Sequence, residues 1–369
     1  MKILVYSPYM GKHFGGGEKY LLDCVSILKK QHRVFIGVSE FKSQKKKKER
    51  KSIKEKYEKF FDINLDKVKF INSPLFTQKS FFEKLYWTKQ FDLIIYETDG
   101  SLFFSLAKKN ILHIQTPLIL NKSTFLEKLK LKNWQIKNSN SEFTKQVIEK
   151  YWKTKVDLLH YPMVDIKKTK NWEIGKKKII LNVGRFFSHQ HSKRQDILVK
   201  IFKDLNKKYS AEMKGWRLIL IGTVEDRAYA RKVEKLAEGS NVKIIHQASR
   251  REIINWYQKA SIYWHATGFD VDQEKFPEKV EHFGISTVEA MSSACVPIVI
   301  NKGGQPEVLG SELEHLLWSD SKTCVEKTID QIQNPKTRIQ NAKLALKRAE
   351  KFSKNEFEKK LMNMIKKKV

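Results

Sequence analysis

Between Trp264 and Leu309 the chain reads WHATGFDVDQEKFPEKVEHFGISTVEAMSSACVPIVINKGGQPEVL. Two carboxylates, Glu281 and Glu289, stand there with seven residues between them. HFGIS follows Glu281, then a helical run, then an apolar strand over Val296–Ile300 that empties into Gly303-Gly304. Gly284 gives the backbone freedom to turn, and Ser286 is placed to cap a helix whose third residue is Glu289. The first N–H groups of such a helix, with its dipole, attract a phosphate. A carboxylate beside them accepts hydrogen bonds from the vicinal hydroxyls of a ribose or hexose. Phosphate donors next to hydroxyl acceptors suit a sugar nucleotide. The same Ser286-x-x-Glu289 spacing is also an ordinary capping box, in which Glu289 only closes its own helix.

Two alternating α/β segments position these residues. KILVYSP (residues 2–8), a loop with Gly11, Gly15, Gly16 and Gly17, and an amphipathic helix open a doubly wound α/β domain. The loop is neither GxGxxG nor a Walker A loop, and glycine triplets also serve as plain turns. Strands are expected over His32–Val38, Val68–Ile71, 91–100 and Asn110–Pro117, with a helix over Phe81–Thr88. The end of the fourth of these strands is where ligands gather in open α/β sheets, and His113 and Gln115 lie there. A polar, lysine-rich stretch, 166–178, reads as a domain boundary. A second strand–loop–helix follows, KIILNVGRFFSHQHSKRQDILVKIF, with its strand ending at Gly184-Arg185 and its helix beginning near Arg194. Further strands are expected over 216–222 and 242–246. Segment 270–280 resembles an insertion with room to flex over a ligand.

The combination Glu281, Phe283, Gly284, Glu289, Gly303, Gly304, Pro306 and Glu307 resembles the signature of retaining nucleotide-sugar glycosyltransferases, specifically glycosyltransferase family 4. The resemblance covers roughly residues 1–350. It implies an α/β fold of the GT-B type, with two Rossmann-like domains facing each other across a cleft. The implied domains are 1–165 on the acceptor side and 176–351 on the donor side, with a last helix over about 352–369 packing back on the first. The implied reaction moves a sugar from a nucleoside-diphosphate sugar to a glycan, lipid-linked or polysaccharide acceptor, with retention of configuration. In it, Arg185 and Lys193 neutralise the diphosphate, and Glu281 positions the donor sugar with N–H groups near Gly284 and Ile285. Glu289 takes the ribose hydroxyls, Gly184, Phe283 and Ser286 line the donor site, and Gly16 and Gly17 approach it from the first domain. The family pattern often has His-Thr-Pro where this chain has Gln115-Thr116-Pro117. His113, on the same face two residues earlier, is either its substitute or a satisfied core histidine. No cofactor or metal is implied. A GT-B-fold epimerase acting on a sugar nucleotide is the alternative.

The charge is unusual: 72 Lys and Arg against 41 Asp and Glu give a net +31, and only 11 of the basic residues are Arg. Base-edge and bidentate phosphate recognition draw on Arg more than this, and no nucleic-acid-binding motif supports that reading. A lysine-rich coding bias and adsorption to an anionic membrane surface stay open; 41–62 and 121–133 are the basic segments that would serve it. The three cysteines lack metal-like spacing and fit a reducing compartment. MKILVYSPYM reads as a first strand rather than a signal peptide, and no stretch approaches the roughly 18 apolar residues of a spanning helix. A cytoplasmic protein, with a peripheral place on the membrane face open, is the expectation.

Overall fold

The structure, a computed structural model, describes residues 1–12, 14–38, 46–166 and 172–367. Residues 41–45 of the first basic segment, 167–171 of the boundary stretch and 368–369 of the last helix lie outside the described residues. The chain divides into unit 1, Met1–Met163 with Asn355–Val369, and unit 2, Val164–Lys354.

Unit 1 alternates strand and helix: β1 (Lys2–Tyr6), α1 (Gly16–Leu28), β2 (Arg33–Val38), α2 (Lys46–Phe61), β3 (Lys69–Asn72), α3 (Phe81–Thr88) and β4 (Leu93–Glu97). There follow β5 (Lys109–Ile114), α4 (Phe125–Asn133), β6 (Ile136–Ser139), α5 (Glu142–Trp152) and β7 (Leu158–Leu159). All pairings are parallel, in the order β3-β2-β1-β4-β5-β6-β7. Helices on both faces bury such strands completely, which is why LIIYE in β4 is an uninterrupted apolar run ending in one carboxylate. Ser80, Thr124 and Ser141 start α3, α4 and α5 by accepting the N3 backbone N–H. The C-terminal helix Lys354–Lys366 belongs to this unit: Phe357, Leu361, Met364 and Ile365 enter the core formed by β1, β2 and α1. His160 ties it down, with Nε2 3.1 Å from Phe357 O and Nδ1 2.6 Å from Tyr20 Oη.

Unit 2 begins with the short α6 (Trp172–Gly175), then β8 (Lys177–Val183), α7 (Gln195–Lys208), β9 (Arg217–Gly222), α8 (Arg227–Ala237), β10 (Val242–His246), α9 (Arg250–Lys259) and β11 (Ala260–His265). After α10 (Ile285–Ser292) come β12 (Val296–Ile300), α11 (Gln305–Leu309), β13 (Leu317–Trp318), α12 (Ser321–Gln333) and α13 (Pro335–Ala349), and α14 is the C-terminal helix. Its sheet is also parallel, in the order β10-β9-β8-β11-β12-β13. The boundary stretch 166–178 is thus shorter than its composition suggests, because β8 already starts at Lys177 despite three consecutive lysines. The Lys176 ammonium is taken up by the carbonyls of Tyr257 (3.2 Å), Ala260 (2.7 Å) and Ser293 (2.5 Å), while Lys177 and Lys178 stay exposed as the strand pairs.

Strand order reverses between β1 and β4 in unit 1, and between β8 and β11 in unit 2. Open α/β sheets bind ligands outside the carboxyl ends of the strands at this reversal. Among the described residues no helix is long and apolar enough to cross a membrane.

Candidate active site

Three loops meet at the unit 2 reversal. The loop after β8 carries Gly184, Arg185 and Lys193, and that after β11 carries Thr267 and, further on, Glu281. Gly303-Gly304 follows β12, with Gly304 N donating to Glu281 O at 2.8 Å. Gln195, first residue of α7, fastens the first loop through Nε2 to Gly184 O (3.0 Å) and Arg185 O (3.1 Å). Lys193 and Glu281 thereby form an ion pair that is mostly buried on both sides. His265, fully buried at the end of β11, places Nε2 2.9 Å from the same Glu281 oxygen and 3.2 Å from Thr267 Oγ1.

Electrostatics at Glu281 follow from these contacts. Burial pushes its carboxyl upward, but the Lys193 ammonium and the His265 hydrogen bond outweigh that and hold it well below the usual carboxylate range. Burial lowers His265, against the pull of Glu281. A neutral His265 therefore donates Nε2–H to the carboxylate and fixes its orientation. Glu281 is an oriented, ionised acceptor for hydroxyl groups.

Arg185 sits at the rim, half-exposed. Its Nη1 lies 2.9 and 3.1 Å from the two Glu225 carboxylate oxygens, and its Nη2 lies 2.8 Å from His191 Nε2. Burial, then the charge of Lys193, lowers His191 to about 3, so it stays neutral and leaves the local charge to Arg185 and Lys193. The two cations thus share one loop, each paired with a carboxylate.

The cap expected at Ser286 is not formed. Gly284 is the N-cap of α10, at φ 114° and ψ 58°, a left-handed conformation that a residue with a Cβ resists. A Cβ there would also overlap the Gln305 amide. Ser286 is the second helical residue, and its Oγ is 2.8 Å from Tyr263 Oη. Glu289 is the fifth, so no capping box joins the two. The spacing misleads because a glycine with positive φ starts the helix two residues sooner than a serine would. The helix still opens just after Glu281, with hydrogen bonding starting at Thr287 N to Gly284 O, 3.0 Å, so Ile285 and Ser286 supply its leading N–H groups. One turn on, Glu289 pairs with Arg250 at 2.6 Å.

The other expected residues divide by role. Phe283 is 2% exposed and packs edge-on against Phe352 with ring centroids 5.3 Å apart, so its ring is core rather than lining. In unit 1, Gly16 and Gly17 are the first two residues of α1, behind the N-cap Gly15. His113 is a core histidine: it stacks on Tyr20 at 3.6 Å, its Nδ1 is 2.5 Å from Asn138 Oδ1, and burial lowers it to about 4. Gln115 lies one residue past the end of β5 and is partly exposed. Segment 270–280 is pinned by the turn Pro277–Lys279, by fully buried Val280 and by Gly303 N to Gln273 Oε1, 2.9 Å. Among the described residues, no cluster of three or more His, Cys, Asp or Glu is arranged to hold a metal. Glu225, His265 and Arg250 escaped the sequence reading. Their only signal is position: an end of a buried strand for His265, and the first residue of a capped helix for Arg250.

Residues 164–358 match the sequence model of a family described as glycosyl transferases group 1, more than half of the chain. No curated protein matches the chain. Among solved structures it is similar to Anabaena HepE in complex with UDP and glucose, 15% identical over 99% of both chains with a TM-score of 0.66. It is also similar to a glycosyltransferase from Rickettsia africae, 15% identical over 99% of this chain and 97% of that one, TM-score 0.70. Sucrose-phosphate synthase from Thermosynechococcus elongatus is 14% identical over 99% and 98%, TM-score 0.66. At such identities the likeness is one of fold, the paired parallel α/β sheets of GT-B glycosyltransferases.

Proposed function

The chain belongs to the glycosyl transferases group 1 family, and we propose that it transfers a sugar from a nucleoside-diphosphate sugar with retention of configuration, as in glycosyltransferase family 4. The observation that carries this reading is the buried Lys193–Glu281 pair at the unit 2 strand reversal, directly before the start of α10. A departing nucleoside diphosphate gains negative charge as the glycosidic bond breaks, and fixed cations with a helix N-terminus stabilise it. An ammonium has three donors, so Lys193 can keep Glu281 while meeting a phosphate oxygen. Glu281, ionised and oriented by His265, accepts hydroxyls of the donor sugar. Glu289 takes the ribose hydroxyls and keeps lone pairs free while Arg250 holds it. The acceptor hydroxyl loses its proton to the leaving phosphate in a front-side displacement, which needs no separate base. The substrate is the nucleotide sugar itself, without metal or other cofactor.

A lipid-linked or surface glycan acceptor at an anionic membrane is the partner we favour. On unit 1, Phe82 (77% exposed), Tyr86 (74%) and Phe125 (78%) project from α3 and α4 amid Lys84, Lys89, Lys128 and Lys130. Aromatic side chains interleaved with lysines suit the interface of an anionic bilayer. Such a protein acts on the cytoplasmic face, where nucleotide sugars are made.

Incubation with a panel of nucleoside-diphosphate sugars, followed by proton NMR, tests the reaction. We expect free nucleoside diphosphate to accumulate, with the released or transferred sugar first formed in the donor's anomeric configuration. Isomerised donor without released diphosphate would favour the epimerase reading, and an inverted first product would overturn retention.

A further inference from the structure

Unit 2 holds a cavity that has no use in this scheme. Its volume is about 440 Å³, within the range of small-molecule sites. It opens at the amino end of β8, beside the start of β9 and the corner between α12 and α13. The donor-side loop leaves β8 at its other end, after Val183, so roughly 20 Å of strand separates the two places. Much of the wall is apolar: Trp172, Trp216, Pro335 and Ile339 line it, and Trp216 is only 3% exposed.

The polar groups of that wall select the ligand. Arg338 lies over the Trp216 ring, its guanidinium carbon 5.7 Å from the centroid. Only its Nη1 is engaged, donating to the Gln331 carbonyl at 2.5 Å and the Ile332 carbonyl at 3.4 Å. Among the described residues its Nε and Nη2 have no acceptor and no carboxylate pairs with it. A partly buried cation without a counter-charge is costly, and a guanidinium laid on an indole suits the paired oxygens of an anion. Lys176, Lys177 and Lys178 also line the cavity, with Lys176 held by carbonyls and not by an acid. The two carboxylates of the wall are already engaged, Glu173 with Lys343 at 3.4 Å and Glu212 with Gln333 Nε2 at 3.1 Å. Four cations against two carboxylates leave two positive charges, the complement of a phosphate monoester near neutrality.

We propose that this cavity binds a phosphate monoester with an apolar body, its phosphate on Arg338 and its apolar part against Trp172 and Trp216. The ester is either a free aryl or alkyl phosphate or the headgroup of a lipid. The site lies apart from the diphosphate cations and does not depend on the transferase reading.

Isothermal titration with phenyl phosphate, dihexanoyl phosphatidic acid and inorganic phosphate tests it. Phenyl phosphate should bind wild type about tenfold or more tightly than inorganic phosphate, because its ring leaves water in the cavity. Arg338→Gln should weaken phenyl phosphate about tenfold, through loss of a charge-assisted contact. Ile339→Glu should weaken it about fivefold or more by placing a carboxylate in the wall, and Glu212→Gln should tighten it about threefold by removing one. Ile339 is 38% exposed on α13, so that variant folds and decides the matter even where Arg338→Gln does not. Binding should persist in Arg185→Ala, which removes a diphosphate cation and leaves this cavity intact. The tighter of phenyl phosphate and dihexanoyl phosphatidic acid marks the free ester or the lipid headgroup as the source. Neither ester binding wild type, inorganic phosphate binding as well as phenyl phosphate, unchanged affinity in Ile339→Glu, weaker binding in Glu212→Gln, or loss of binding in Arg185→Ala would each overturn the assignment.

Discussion

Lys193→Met is expected to lower the melting temperature by about 8 °C and to cut turnover by roughly 10²-fold or more. The first effect arises because Glu281 would remain buried beside His265 with its cation removed, and breaking a buried pair from one side costs about 3 kcal/mol. The second arises because the same ammonium meets the leaving diphosphate. The sign of the pH dependence separates the two roles. The Glu281 carboxyl is held below its unfolded value, so its contribution to stability is present above the ordinary carboxylate pKa and is lost as pH falls through the depressed one. Lys193 and His265 hold it down, and His191, Tyr263 and His282 also face its charge. Thermal unfolding of the variant should therefore lose part of the acid-side slope expected of wild type below about pH 4.5, the ordinary glutamate range. An unchanged slope would mean that the pair does not hold Glu281 ionised.

Arg185→Ala should give the opposite balance. Its ion pair with Glu225 is 43% and 40% exposed at the two side chains, so stability should change by less than about 1 kcal/mol. Turnover should nonetheless fall by roughly 10²-fold, chiefly in kcat, because the guanidinium acts on charge that develops only as the bond breaks. Steady-state kinetics with a turned-over donor check this. Near-wild-type kcat in a folded Arg185→Ala protein would remove Arg185 from the diphosphate site.

The alternation of buried strand and amphipathic helix was legible because parallel strands covered on both faces must be continuous apolar runs. Val296–Ile300 and Phe81–Thr88 have the boundaries their patterns suggest. Two-residue edge strands such as β13 carry no period and leave no such trace. The start of α10 was misplaced because a serine and a glutamate at capping-box spacing look the same whether or not a left-handed glycine precedes them. The side-chain partnerships of the site were not legible at all. Lys193 and Glu281 are 88 residues apart, and nothing local in WHATG marks His265 as the group that orients Glu281.

The most direct test of the unit 2 site is thermal unfolding of wild type and Glu289→Ala with UDP, GDP, ADP, CDP and their sugars. A ligand that binds only the folded state adds about 2.7 kcal/mol at a hundred times its Kd, a shift of several degrees. The account predicts that one nucleoside diphosphate family stabilises wild type and that Glu289→Ala abolishes the shift. An equal shift in both proteins would move the nucleotide away from Glu289, and the absence of a shift with every nucleotide would contradict the donor site itself.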